Sequence, residues 1–200
     1  MNIITRAVAP ALALLALAVP AAAEKISLNE ISRYLNSLQT AVAQFTQVNA
    51  DGSVSGGTLY LHRPNRVRFE YGGKNPSLVL ASAGQVAVFD GKSNTGHQEY
   101  PLSKTPLSII LAPNVDLGRA NMVTAHTESK NTTIVKAQDP AHPEYGNIQM
   151  VFTANPTQLR QWVVTDDTGK KTTVVLGEMQ TGVSIPASKF AIASEAARRR

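Results

Sequence analysis

Cysteine is missing altogether from the 200 residues. A chain without it has no disulfide framework, no thiolate metal site and no thiol to carry a lipid. Charge is sparse at 16%, and aromatic residues reach only 6%, with Trp162 the single tryptophan. Histidine occurs four times, at positions 62, 97, 126 and 142. None of the four makes a His-x-His or H-E-x-x-H pattern or has an acid at ligand spacing, so no metal site is indicated. No serine sits in a G-x-S-x-G setting. Gly91-Lys92-Ser93 has the ending of a phosphate-binding loop, but Val86 stands where that loop needs its first glycine, which leaves a turn. The stretch 51–57 is rich in glycine without the G-x-G-x-x-G order and reads as a flexible hairpin loop. Asn131-Thr132-Thr133 fits a glycosylation acceptor, a three-residue pattern that arises often by chance. No catalytic, metal or cofactor residue is proposed, and an enzyme would have to assemble its site from residues far apart in the chain.

What is present begins with one positive charge, Arg6, an apolar run over 7–19, then Pro20 and three alanines. That is the layout of a secretory signal peptide cut after Ala23. The run is shorter than the roughly 20 residues a membrane span needs. Removing it leaves 177 residues, enough for one domain with a real core, over 24–200. With Arg6 gone the balance is 18 basic against 14 acidic residues, and three of the basic ones are Arg198, Arg199 and Arg200. The body is therefore nearly neutral, which argues against a nucleic-acid partner. The end of the chain, 196–200, reads as a disordered, solvated tail.

Ser27 followed three residues later by Glu30 forms a capping box. Leu28, Ile31, Leu35 and Leu38 then recur at helical spacing, with Tyr34 beside them, and predict an amphipathic helix over 28–38. After that the period drops to two. Strands are expected over 42–48, 57–62, 66–71, 78–82, 86–89, 96–100, 122–129, 132–138, 148–153, 159–165 and 172–180. Turn residues separate them, among them Asp51-Gly52, Arg63-Pro64-Asn65, Asp90-Gly91 and Asp166-Asp167-Thr168-Gly169. About eleven short strands joined this way describe a meander that curls into a barrel or half-barrel.

One interruption divides the strands. Thr105 reads as an N-cap with Pro106 at the first helical position, residues 107–112 are almost wholly apolar, and Pro113 stops the run. So short a helix is marginal in water and must lie against an apolar surface. It is either a core helix or a lid over a cavity. Leu59 and Leu61, then Val67, Phe69 and Tyr71, then Ile148, Met150 and Phe152, and finally Trp162 and Val164 alternate with polar or charged neighbours. Each such strand has one apolar face. From pattern alone that face lines either a filled sandwich core or a hollow that takes an apolar ligand.

Several pieces stand in a definite order along the chain. The helix-then-strand opening ends in Gln44-Phe45-Thr46-Gln47, and Gly57-Thr58-Leu59-Tyr60-Leu61-His62-Arg63-Pro64-Asn65 precedes the alternating Val67, Phe69 and Tyr71. Leu80-Ala81-Ser82-Ala83-Gly84, Phe89-Asp90 and Thr105-Pro106-Leu107 follow. In that order and spacing the chain resembles the LolA family of periplasmic outer-membrane lipoprotein carriers, and the resemblance implies a mainly β fold with helices: a strongly curved, incomplete antiparallel barrel of about eleven strands, closed by a helical lid. It implies a cavity for acyl chains walled by Leu59, Leu61, Val67, Phe69, Tyr71, Leu80, Ile109, Met150, Phe152, Trp162 and Val164. Pro106, Leu107, Ile110 and Leu111 then belong to the lid, and Arg63 is the latch that bonds lid carbonyls. Val67 departs from the family where a larger aromatic can stand, and the basic tail is a second departure.

The same resemblance implies no reaction and no cofactor. It implies a monomer in the periplasm that takes acylated lipoproteins from an energy-coupled inner-membrane transporter and passes them to an outer-membrane acceptor or the membrane itself. An exposed sixteen-carbon chain costs on the order of 10 kcal/mol in water, so a diffusing carrier must cover most of it. The bilayer interior is an equally good home for the chain, which is why the donor must supply energy. The same half-barrel could instead carry a glycolipid or fatty acid, or sense lipoproteins.

Overall fold

The computed structural model describes residues 25–93, 96–118 and 121–199; the expected signal segment and its cleavage site lie outside them. Helix α1 spans Leu28–Ser37 and buries Ile31 and Leu35 along one side. Ser27 Oγ accepts the Glu30 N–H at 3.2 Å. Only this half of the capping box forms, because the Glu30 carboxylate accepts the Thr157 hydroxyl at 2.5 Å instead.

Strands β1 (Thr40–Val48), β2 (Val54–His62), β3 (Arg66–Tyr71), β4 (Leu78–Ser82), β5 (Gln85–Phe89) and β6 (His97–Pro101) run as consecutive hairpins. Helix α2 (Leu107–Leu111) follows, then β7 (Val123–Ser129), β8 (Thr132–Ala137), β9 (Asn147–Thr153), β10 (Gln158–Thr165) and β11 (Lys171–Leu176). The order across the sheet is β6-β5-β4-β3-β2-β1-β11-β10-β9-β8-β7, with every neighbouring pair antiparallel. Among the described residues β6 and β7 are not paired to each other, so the barrel stays open. The expected last strand over 172–180 is broken. β11 stops at Leu176, Gly177 N–H donates to Gln44 O at 2.8 Å, and the two-residue β12 (Gln180–Thr181) pairs with the start of β1.

The stretch expected as a flexible loop over 51–57 is shorter than that, since β2 already begins at Val54. Gly56 and Gly57 lie inside the strand. A Cβ on Gly57 would sit 1.9 Å from the carbonyl oxygen of Glu70, so the backbones of β2 and β3 meet there as closely as they do only because the side chain is absent.

The sheet packs against other segments on its concave face and on part of its convex face. Its concave side holds the main core, which α1 and α2 cover. Its convex side carries a second cluster of Leu78, Leu80, Ala87 and Phe89 under Ile185 and Phe190. The covering segment is a 3₁₀ turn, Ala187–Phe190, and helix α3, Ile192–Arg198. The expected disordered tail from 196 is thus corrected through 199: Arg199 Nη1 donates to Pro76 O at 3.0 Å, and its guanidinium lies 5.5 Å from the Phe89 ring. Leu80 is corrected as well. It pairs with Arg68 across β3 and β4, shares Arg68's convex side, and is absent from the cavity wall.

The charged face of β3 is covered rather than solvated. Arg68 and Glu195 are 7% and 4% exposed and pair at 3.1 Å. Arg68 also donates to Glu70 at 2.6 Å and to Lys189 O at 2.9 Å, while Glu195 accepts from Arg198 and Arg199. Burial pushes the Glu70 carboxyl up, but bonds from Lys189 and Arg68 outweigh it and hold the group below its ordinary range. A depressed carboxylate stabilises the fold above its unfolded value and loses that contribution as pH falls through the folded value. We expect Arg68→Ala to cost about 3 kcal/mol and lower Tm by roughly 6–12 °C, because buried Glu195 loses its deepest partner. A fall of less than about 2 °C in a thermal melt rules out a stabilising role for the network. In urea unfolding across acid pH, Glu70→Gln should flatten the loss of stability below about pH 4.3; an unchanged slope refutes the assignment to Glu70.

Candidate functional site

The hollow side of the sheet is roofed by α1 and α2. Leu59 and Leu61 of β2, Val67 of β3 and Trp162 of β10 face Leu107, Ile110 and Leu111 of α2 across a cavity of about 20 Å³. That is space for about one water, so the roof is shut. Leu35 and Leu38 from the end of α1, Leu159, Leu176 and Met179 complete the wall. Phe45, Phe69, Tyr71 and Trp162 stack edge to face beside it, with Phe45 at 5.3 Å from Phe69 and 5.2 Å from Tyr71, and Phe69 at 6.2 Å from Trp162. Tyr71 is half-buried; burial pushes its phenol up to about 12 against the bond that its hydroxyl donates to Gln47 at 2.7 Å. A larger hollow of about 790 Å³ lies on the outside between Lys74, Asp90 and Arg199. Its charged rim offers no continuous apolar wall.

One charged side chain stands on the apolar cavity wall among the described residues. Arg63 is 5% exposed, and burial pulls its guanidinium below the ordinary arginine range. Its Nη2 donates to Ala112 O at 2.5 Å, and the Asn65 N–H donates to Leu111 O at 2.9 Å. Two carbonyls at the end of α2 are thereby bonded to the β2–β3 hairpin; a five-residue helix cannot satisfy them internally. The Arg63 N–H in turn donates to Gln39 O at 2.8 Å, which ties the hairpin to the end of α1.

Helix α1 holds the chain that leaves the lid. Asn36 Oδ1 accepts the Val115 N–H at 2.8 Å and lies 3.4 Å from Arg63 Nη2, while Asn36 Nδ2 donates to Val115 O at 2.8 Å. Ser32 Oγ accepts the Leu117 N–H at 3.0 Å. Ahead of its N-terminus the Ile26 N–H donates to Thr133 Oγ1 at 2.9 Å, and between Ser32 and Asn36 the Tyr34 hydroxyl accepts the Leu159 N–H at 3.2 Å, which ties α1 to the sheet as well. Roof and wall are therefore joined by hydrogen bonds through residues 112–117.

A comparison with known families matches residues 36–193 to the outer membrane lipoprotein carrier protein LolA. The chain belongs to the LolA family. Similar family proteins include the outer-membrane lipoprotein carrier protein of Methylococcus capsulatus, 34% identical over 73 residues that span 34% of this chain and 35% of that one. The protein of the same name from Legionella pneumophila strain Corby is 24% identical over 78% of this chain and 80% of its own. Among solved structures, a LolA superfamily protein from Nitrosomonas europaea covers 84% of this chain and 99% of its own at a TM-score of 0.44 and 8% identity. A DUF1329 family protein from Desulfovibrio piger covers 84% and 95% at 0.48 and 8%.

Within this LolA-family chain the expected site residues other than Leu80 fall in three places. Leu59, Leu61, Arg63, Val67, Trp162, Leu107, Ile110 and Leu111 touch the cavity. Phe69, Ile109, Met150 and Phe152 are buried in the surrounding concave core, where Tyr34 meets Phe152 edge-on at 6.1 Å, and Tyr71 and Val164 pack at its margin. Pro106 is buried at the start of α2, where it takes the cap position expected for Thr105. Thr105 instead ends a 3₁₀ turn, Leu102–Lys104, and its hydroxyl donates to Leu102 O at 2.8 Å. Leu159 was out of phase with Trp162 and Val164, and a β-bulge between Leu159 and Gln161 is what turns it inward. Asn36 and Ser32 carried one sequence signal, polar residues four apart beside Leu35, but nothing to name their partners. Asn36→Ala is expected to free residues 112–117 and raise amide exchange across α2 by about tenfold, while the strands exchange as before. Exchange in α2 equal to that of the unaltered protein excludes Asn36 as a lid anchor.

Proposed function

We propose that this protein is a periplasmic carrier that accepts the acyl chains of lipoproteins released from the inner membrane and delivers them towards the outer membrane. The observation that carries the reading is the pairing of an apolar, lid-covered hollow with family membership over residues 36–193. The work is binding and release, with no bond made or broken and no cofactor needed. The carrier acts as a monomer after export through its N-terminal signal peptide.

Loading requires the roof to move, since about 20 Å³ cannot hold an acyl chain. The apolar residues of α2 then leave their places on Leu59, Leu61 and Trp162, and the chain's methylenes take them. Each buried methylene is worth about 0.8 kcal/mol, so cargo competes with the lid for the same apolar wall. The bonds from Arg63 and Asn65 to the end of α2 favour the shut form, and each neutral or charge-assisted bond adds about 1–3 kcal/mol. An energy-coupled transporter would supply the chain on one side, and an acceptor or the outer membrane itself would take it on the other.

The carrier reading is tested by isolating the protein from a periplasmic extract and identifying what copurifies by mass spectrometry. Acylated lipoproteins are expected; a glycolipid or free fatty acid in their place would favour the other lipid-carrier reading. Leu61→Asp, which sets a carboxylate on the cavity wall at a cost of several kcal/mol, should empty the preparation of cargo while the far-ultraviolet circular dichroism stays native. Cargo recovered in full with a folded Leu61→Asp protein excludes the cavity as the acyl site.

A further inference from the structure

Arg63 is bonded at only one of its three guanidinium nitrogens. Nη2 reaches Ala112 O and Asn36 Oδ1, whereas Nε and Nη1 are buried with no hydrogen-bond partner among the described residues. Three of the five N–H donors of the group sit on those two nitrogens. Buried donors without acceptors are rare in folded proteins, and a charged one is the costliest kind. No carboxylate among the described residues pairs with Arg63 either, in contrast to Arg68 on the other face of the sheet, which has two. The side chain lines an otherwise apolar hollow with room for about one water.

A latch alone does not need this arrangement. A bond to a backbone carbonyl could be made by a neutral amide, as Asn36 makes to Val115 O just beyond α2. A cation held in an apolar wall with spare donors fits a ligand that is mostly hydrocarbon and has strong oxygen acceptors at one point. We infer that the Nε and Nη1 groups of Arg63 bind the carbonyl oxygen at the head of an acyl chain, as an ester or amide of a lipoprotein or as the carboxylate of a free fatty acid. The inference rests on the acyl-carrier reading and adds to it a polar register: the oxygen fixes how far a chain slides into the hollow. It also couples cargo to lid. When the roof opens, Nη2 loses Ala112 O, and an incoming carbonyl meets a guanidinium held only by the long contact to Asn36 Oδ1.

The test compares hexadecane, methyl palmitate and palmitate, delivered from cyclodextrin, in displacing an apolar fluorescent probe from the full mature chain and from Arg63→Met and Arg63→Lys. Opening the lid is common to all three ligands, so the ester-to-alkane affinity ratio isolates the oxygen contact. That ratio should fall by about tenfold or more in Arg63→Met and by less in Arg63→Lys. Palmitate bound far more tightly than the ester by the unaltered protein assigns the site to free carboxylates, and comparable binding assigns it to acyl esters. An independent reading needs no variant: the carbonyl stretch of isotopically labelled methyl palmitate should move to lower frequency on binding than in hexadecane. An unshifted band, or equal ratios in the unaltered and Arg63→Met proteins, overturns the oxygen contact while leaving the acyl carrier standing. If none of the three ligands displaces the probe, the carrier reading itself falls, and this inference with it.

Discussion

β6 and β7 follow each other in sequence but lie at opposite edges of the sheet. Nine of the ten neighbouring pairs are hairpins made locally, and the tenth joins β1 to β11; the β6-to-β7 connection cannot be local, and it has to cross the open side of a curved sheet. Whatever residues occupy it become the roof of the hollow. Leu102, Leu107, Ile109, Ile110 and Leu111 are apolar for that reason, and the marginal helix they form is stable only against the wall beneath it. The site is a product of the connection as much as of the strands.

A roof made of a short chain crossing has weak intrinsic helix stability, which suits the movement that the proposed carrier role requires of it. Its backbone carbonyls are bonded to the β2–β3 hairpin, and the segment after it is bonded to α1, so a few hydrogen bonds add to the packing of its apolar side chains in holding it shut. A handful of such bonds is comparable to the gain from burying several methylenes. On the proposed carrier role, opening is therefore within reach of cargo, and closing is within reach of the empty protein. The apolar wall and the donors of Arg63 act at the same place on this balance.

The convex face solves a different problem. Curving the sheet leaves Leu78, Leu80 and Phe89 on the outside, and the C-terminal segment covers them with Ile185 and Phe190. The ion network of Arg68, Glu195, Glu70 and Lys189 fixes that cover from beneath. With one face braced in this way, the opposite face can keep a movable roof without exposing a second apolar surface.

Most strands, the first helix and the presence of a short apolar crossing were legible in the sequence, because alternation, caps and turn residues act within a few positions of one another. The apolar faces of β2, β3, β9 and β10 were legible for the same reason. Leu80 was misplaced because Leu78 to Ala81 are apolar at every position, so period two cannot say which side is which; the pairing with β3 decides it. Leu159 was missed because a bulge shifts its phase, and Thr105 was misread because a preceding 3₁₀ turn claims its hydroxyl. The covered tail was unforeseen because the partners of Arg68 stand 121 and 127 residues away. Asn36 illustrates the same limit at the site itself. Local chemistry determined which elements form and which of their faces are apolar; only the tertiary structure decided which buried polar groups meet, since hydrogen bonds between distant segments depend on register and curvature that no local pattern encodes.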